Sequence, residues 1–419
     1  MRIYPRYIAS ASPHVRPDDL ATCVSCGLCL NDCPTYRVMD DEADSPRGRI
    51  QLIREMVATS ARPQASTVEH LEACLVCRAC ETACPSLVPF GRIMEGAREE
   101  IALRSRPAGL REALRARLVD LVTRPTLLAF IARVASLYER TGIGRVAQRV
   151  LPRRLARMES LLPAPEGAPF VPIPRPEAGA QLLAGCVMRA AFGDTQRATV
   201  RALERSGFTV GSPADQECCG ALHAHSGLGE RARELARANV RAFAGMGTVV
   251  STAAGCGAHT RSYGWLLADD PAVAEAAADL SRRVRDASEV VTAVGAPLPR
   301  GVRVVYQDAC HLAHGQGIRK PPRDLLRMLS GVELIPIADP ERCCGSAGTY
   351  NLTHPEVATE LQRQKAGAIL AARPDVVVSA NPGCILQIRA GLEAAGADVP
   401  VVHLMRFLDD PAAVLSSQA

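Results

Sequence analysis

Two cysteine runs, CVSCGLCLNDCP at residues 23–34 and CLVCRACETACP at residues 74–85, set the tightest constraint on this chain. Every cysteine of the first recurs 51 positions later in the second. A disulfide framework would require export, and the start MRIYPRYIASASPHVRPDD lacks the apolar core of a signal peptide, so the thiols are expected to stay reduced. Structural zinc takes two cysteine pairs separated by a finger, whereas each run here crowds three thiols into seven residues. Buried cysteines serving only as small hydrophobes would have no reason to repeat one spacing twice.

The spacing is similar to that of bacterial ferredoxin cluster loops, where three thiolates wrap one cluster and the fourth, before a proline, reaches its neighbour. By that crossed rule Cys23, Cys26, Cys29 and Cys84 should hold one [4Fe-4S] cluster, and Cys74, Cys77, Cys80 and Cys33 the other. After the first loop, DEADSPRGRIQLIREM places Ser45 to cap a helix opening at Pro46. Arg47 and Arg49 then either lie near a cluster, where positive charge raises its potential, or face solvent as an ordinary pair.

A chain of 419 residues has room for two or three domains, and 47% hydrophobic content with 4% aromatics describes a folded, aliphatic interior. The net charge of +5 is a mild basic excess carried almost wholly by arginine, with Lys320 and Lys365 the only lysines. No recognition helix, stacking motif or basic tail accompanies it, which argues against a nucleic-acid partner. The most apolar stretch, LVTRPTLLAFIARVASLY, is broken by Arg124, Pro125 and Arg133 before it could span a bilayer. Residues 98–158 are rich in arginine, and Leu110, Leu114, Leu118 and Leu121 recur at helical spacing. A helical connector packed on its own protein is expected there, with docking to a partner or an anionic membrane surface as the alternative. LLPAPEGAPFVPIPRPEAG, around residues 161–179, then reads as an interdomain linker.

The remaining eight cysteines form two matching sets, Cys186, Cys218, Cys219 and Cys256, then Cys310, Cys343, Cys344 and Cys384, offset by 124, 125, 125 and 128 positions. Local text agrees: SGFTVGSPADQECCGALH pairs with SGVELIPIADPERCCGSAG, and GTVVSTAAGCG with DVVVSANPGCI. This is an internal duplication. Each copy reads as three strands alternating with helices, a parallel α/β pattern that gathers loops and thiols at the carboxyl edge of the sheet. Gly220 and Gly345 suit a backbone at positive φ or one passing close to a bulky group. The fold class expected is therefore α+β multidomain. A mostly helical two-cluster ferredoxin-like domain occupies 1–100, a helical connector and Pro-rich linker 101–179, and the repeats of an α/β Cys-Cys-Gly domain 180–300 and 301–419.

Two ferredoxin runs followed by two Cys-Cys-Gly repeats resemble the iron-sulfur subunits of the glycolate oxidase and heterodisulfide reductase families. CCGSAGTYNLTHPEVA, PRGRI and GCGAHTRSYG are most similar to the glycolate oxidase iron-sulfur subunit. The resemblance implies an electron-transfer subunit that binds no substrate itself. Its partners would be one or two FAD-containing 2-hydroxy acid dehydrogenase subunits acting on glycolate or D-lactate, and its acceptor a quinone. It further implies a cytoplasmic location with peripheral contact at the inner face of the cell membrane. No Gly-x-Gly-x-x-Gly fingerprint is present, so no flavin is expected in this chain.

In heterodisulfide reductase relatives a fifth cysteine stands three places before the last; here those positions are Ala253 and Asn381. Four thiols per repeat leave three readings: one or two further iron-sulfur clusters, a metal-free redox thiol pair, or vestigial cysteines. A self-contained thiol or disulfide reductase is the rival function. Vicinal pairs such as Cys218-Cys219 and Cys343-Cys344 make strained disulfides. His223, His225, His259, His311 and His314 are candidate iron ligands or proton carriers, His311 foremost because it follows Cys310. Tyr350 and Asn351 are expected either to donate to cluster sulfur or to pack.

Overall fold

The computed structural model describes residues 14–59, 61–105, 110–140, 165–298 and 301–416. It separates into two compact units that do not follow chain order. The first holds the described residues as far as Asp120 together with Ala221–Ala232 and Gly345–Leu361. The second holds Leu121–Gly220, Arg233–Cys344 and the described residues from Gln362 onward.

The first unit is helical among its described residues. Ser45 caps the helix Pro46–Val57 as expected, its hydroxyl accepting from Gly48 N at 3.0 Å. Ile50, Ile53, Met56 and Val57 recur at helical spacing and are buried. Ile93, Met94, Ala97 and Ile101 of the helix Phe90–Arg104 meet them, with Val15, Leu20 and Leu71, in one core. The two ferredoxin loops are thus framed by a pair of amphipathic helices, one following each loop.

The second unit contains two four-stranded parallel sheets. β1 (Ala180–Leu183), β2 (Val210–Gly211), β3 (Thr248–Ser251) and β4 (Val284–Asp286) lie in the order β2-β1-β3-β4. β5 (Val302–Gln307), β6 (Val332–Ile335), β7 (Val376–Ser379) and β8 (Val401–His403) repeat it as β6-β5-β7-β8. Three strands per copy were legible; β4 and β8 are additional. β1 and β7 are buried along their whole length, as befits parallel strands covered on both faces. The two sheets share one core that runs from Val250 and Ala254 to Val305, Val378, Ile385 and Leu404. Ala254 N donates to Ala380 O at 3.2 Å and the His403 side chain, through Nε2, to Thr252 O at 2.7 Å, so hydrogen bonds as well as packing join the repeats.

In the connector, helices form at Leu110–Val122 and Pro125–Arg140, and its remainder through residue 158 lies outside the described residues. Leu114, Leu118 and Leu121 are exposed, whereas Val119 and Thr123 are buried and Leu128 packs beside Cys186 and Cys218, so the connector packs by a face other than the described part of the leucine stripe; the Leu110 side chain lies outside the described residues. Of the Pro-rich stretch, residues 165–179 are described, and they are fastened along the first repeat. Phe170 packs on Leu182 and Ala184, Phe170 N donates to Arg189 O, and Ser212 N donates to Ile173 O. Among the described residues no helix is long and apolar enough to cross a membrane.

Candidate metal centres

The 51-residue repeat is conformational as well as textual. Ser25 and Val76 both take positive φ, 56° and 51°, and so do Gly27 and Arg78, at 84° and 65°. A β-branched residue in the left-handed region is strained by about 1–3 kcal/mol, a state that persists where the surroundings impose it, commonly at functional sites. Here it curls the loop so that Val76 N points at Cys74 Sγ, 3.3 Å away. An arginine grips each loop from the following helix. Arg54, eight positions beyond Pro46, donates to Leu20 O and Cys23 O. Arg98, eight beyond Phe90, donates to Leu71 O, Glu72 O and Cys74 O.

Two cavities open between the loops. One is lined by Cys23, Cys26, Cys29 and Cys84, with Cys80 at its wall. The other is lined by Cys33, Cys74, Cys77 and Cys80. Each therefore draws its fourth thiol from the opposite run. Sulfur is the soft donor that iron-sulfur clusters require. Burial, then the neighbouring Cys23, Cys33 and Cys26, push the Cys29 thiol up to about 11 against a backbone N–H that lowers it. Cys80 is raised for the same reasons, burial first and then Cys77 and Cys74. Crowded thiols of this kind ionise readily only around a cationic centre, so the donor sets fit metal clusters.

The arginines after the first loop divide. Arg49 is fully buried at the second cavity, giving hydrogen bonds to Asp44 Oδ1 (2.9 Å), Thr35 Oγ1 (2.9 Å) and His70 O (2.8 Å), with Cys33 Sγ 4.0 Å away. Burial opposes its charge, yet Cys74, Cys33 and Asp44 outweigh burial and hold its proton more tightly. Arg47 lines the first cavity but stays partly exposed, paired with Glu42 at 2.6 Å.

The other eight cysteines stand where the parallel pattern puts them. Cys186 follows β1, Cys218 and Cys219 follow β2, and Cys256 lies in the helix after β3. Cys310, Cys343, Cys344 and Cys384 repeat this after β5, β6 and β7. Gly220 and Gly345 close the vicinal pairs at φ 87° and 88°. In the first set the Cys186 and Cys218 sulfurs approach to 3.6 Å, and the hydrogen bond they share, with burial, raises Cys186. In the second, Cys310 is lowered by its hydrogen bond from Cys343 and by His311, whose Nδ1 lies 3.5 Å from its sulfur, against the effect of burial. Asn381 Nδ2 stands 3.4 Å from Cys384 Sγ.

The remaining histidines have other neighbours. His223 pairs with Asp120 at 3.0 Å and His225 with Glu95 at 2.9 Å in the first unit. His259 sits edge-on to Tyr263, and His314 lies 3.7 Å from Glu341. Tyr350 donates to Ala73 O at 3.0 Å and stacks on His354, and Asn351 N approaches Ser346 O at 3.4 Å. Tyr350 thus braces the backbone just before Cys74. Arg54, Arg98 and the helix-borne Asn239 and Lys365 were not singled out in the sequence; equal spacing from their helix starts was the available signal.

Residues 19–88 match a 4Fe-4S dicluster domain, and residues 180–261 and 304–389 each match a cysteine-rich domain. Such a dicluster module joined to a duplicated cysteine-rich α/β domain defines an iron-sulfur protein of electron transfer carrying two [4Fe-4S] clusters. The chain is 34% identical over 414 residues to the probable glycolate oxidase iron-sulfur subunit of Bacillus subtilis (strain 168), covering 93% of each. It is 33% identical over 377 residues to the glycolate oxidase iron-sulfur subunit of Escherichia coli (strain K12), covering 87% of this chain and 88% of that one. Lactate utilization protein A of Oceanobacillus iheyensis is 28% identical over 228 residues, 54% of this chain and 93% of that protein. The chain belongs to the glycolate oxidase iron-sulfur subunit family.

Proposed function

We propose that this chain carries electrons from an FAD-containing partner subunit, which oxidises glycolate or D-lactate, toward a quinone. The single observation that carries the reading is the pair of cavities in which each set of three thiols is completed by a cysteine of the other run. Cys23, Cys26, Cys29 and Cys84 would hold one [4Fe-4S] cluster, and Cys74, Cys77, Cys80 and Cys33 the second. The two quartets Cys186, Cys218, Cys219, Cys256 and Cys310, Cys343, Cys344, Cys384 would hold further iron-sulfur clusters. Bound clusters supply one-electron steps. The chain's own residues fix the loops through Arg54 and Arg98, place the Arg49 charge beside Cys33, and keep water from the buried thiols. Neutral residues at positions 253 and 381 count against the disulfide-reducing alternative. A cytoplasmic protein reaching the inner face of the membrane peripherally is part of the same proposal.

Anaerobically purified chain should show no glycolate or D-lactate oxidation alone and gain dye-linked oxidation when a flavin subunit is added. Oxidation by the chain alone, or disulfide reduction with a low-potential donor, would overturn this reading.

A further inference from the structure

One of the chain's two lysines, Lys365, is buried in the second cysteine-rich repeat. It stands ten positions into the helix Pro355–Ala371, just as Asn239 stands ten positions into Gly229–Ala242. Each helix follows its repeat's Cys-Cys-Gly, so the two residues occupy equivalent places. In the first repeat that place is neutral. Asn239 donates to Cys218 O at 3.0 Å and Tyr263 Oη at 3.2 Å and accepts from Glu217 N at 2.9 Å. Lys365 Nζ instead donates to Asp339 O at 2.8 Å and Pro340 O at 3.1 Å, carbonyls of the turn leading into Cys343-Cys344.

An ammonium is a compact point charge with three donors, so the two carbonyls fix its position without neutralising it. Its field falls on Cys344, Cys343 and Cys384; burial lowers the ammonium's pKa on balance, and these sulfurs act in favour of its charge. The other cation of the turn, Arg342, is already ion-paired with Asp339.

We propose that Lys365 makes the two quartets unequal, its buried positive charge favouring the reduced state of the iron-sulfur cluster held by Cys310, Cys343, Cys344 and Cys384. This rests on the reading that the quartets hold clusters. One-electron reduction adds one negative charge there, supplied by the ferredoxin-type clusters. No bond breaks, and no proton need enter, because the compensating charge is already in place. At the first quartet the matching position offers only an amide.

The test uses the full chain, purified anaerobically, with iron content and electron paramagnetic resonance followed through a redox titration. Cys384→Ala should lose iron together with one signal, which assigns that signal to the second quartet. Lys365→Met should keep its iron and shift that signal alone, with the reduced-to-oxidised ratio at fixed poise falling about tenfold, about 59 mV for a one-electron couple. Lys365→Arg should restore the parent behaviour, and Lys365→Gln serves if the methionine variant fails to fold. An iron-replete Lys365→Met or Lys365→Gln whose assigned signal is unmoved, or moves together with all the others, overturns the role of Lys365. A Cys384→Ala protein that loses neither iron nor signal overturns the cluster reading instead, and the proposal with it.

Discussion

The ferredoxin-type loops and the cysteine-rich repeats are both duplications, and they have diverged in different currencies. In the loops, backbone conformation and the arginine grip are copied, and what differs is access. Cys26, Val24 and Leu28 of the first loop are exposed, whereas Cys74, Cys77 and Cys80 of the second are buried beside Arg49. In the repeats, strand order is copied and what differs is charge. Lys365 replaces Asn239, and His403 replaces Asp286 at the end of the fourth strand, where each caps the following helix. Duplication preserves the thiol frame; divergence acts on the medium around the thiols, the lever by which a protein tunes a cluster.

The comparison breaks most completely if the loops are not crossed. Cys33→Ala should remove the cluster ligated by Cys74, Cys77 and Cys80, about four irons per chain, and Cys84→Ala the one ligated by Cys23, Cys26 and Cys29. Spectra showing each variant losing the cluster of its own run would reverse the assignment. Next in size is Arg49. Its loss leaves Asp44 buried with a weaker partner in His70, so Arg49→Met should destabilise by about 3–5 kcal/mol in chemical denaturation, whereas Arg47→Met, at the open loop, should change stability by under about 1 kcal/mol.

The capping pair gives a pH test of the repeats. Burial raises the Asp286 carboxyl to about 6 and lowers His403 to about 4. As pH falls from 6 to 4, the unfolded histidine takes a proton that folded His403 refuses, and stability is lost. Over the same window folded Asp286 takes a proton that the unfolded chain does not, and stability is gained. The parent should therefore be nearly flat. His403→Asn should gain stability on acidification and Asp286→Asn should lose it, each by up to about 1.4 kcal/mol per pH unit. Urea midpoints that track the parent in both variants would refute the opposition. Ser45→Ala should cost about 1 kcal/mol from the lost cap of Pro46–Val57, read as a shift in thermal midpoint.

Cysteine spacing made the clusters legible because ligand geometry acts over a few residues, and Ser45 before Pro46 was readable for the same reason. The strands β1, β3, β5 and β7 announced themselves as aliphatic runs. β4 and β8, three residues each, did not, since their pairing depends on a neighbour supplied by distant sequence. Arg54 and Arg98 look like any arginine on a charged helix face until the carbonyls they grip are placed. Lys365 was visible as a rare lysine, yet nothing local says that it is buried. Proximity in sequence serves the histidines unevenly: His311 lies beside Cys310, whereas His223 and His225 follow Cys218-Cys219 closely but are grouped with the ferredoxin-type unit.

That grouping bears on how the protein is made. The chain changes unit after Gly220 and again before Gly345, so the ferredoxin-type unit takes its last segment from residues as late as Leu361. During synthesis, domains generally fold as units from the amino end. This one cannot: its loops emerge early and must wait for nearly three hundred further residues before their enclosure is complete. Closing contacts of such sequence separation is slow. A chain cut short of Leu361 would lack the segment whose Tyr350 hydroxyl holds the Ala73 carbonyl just before Cys74.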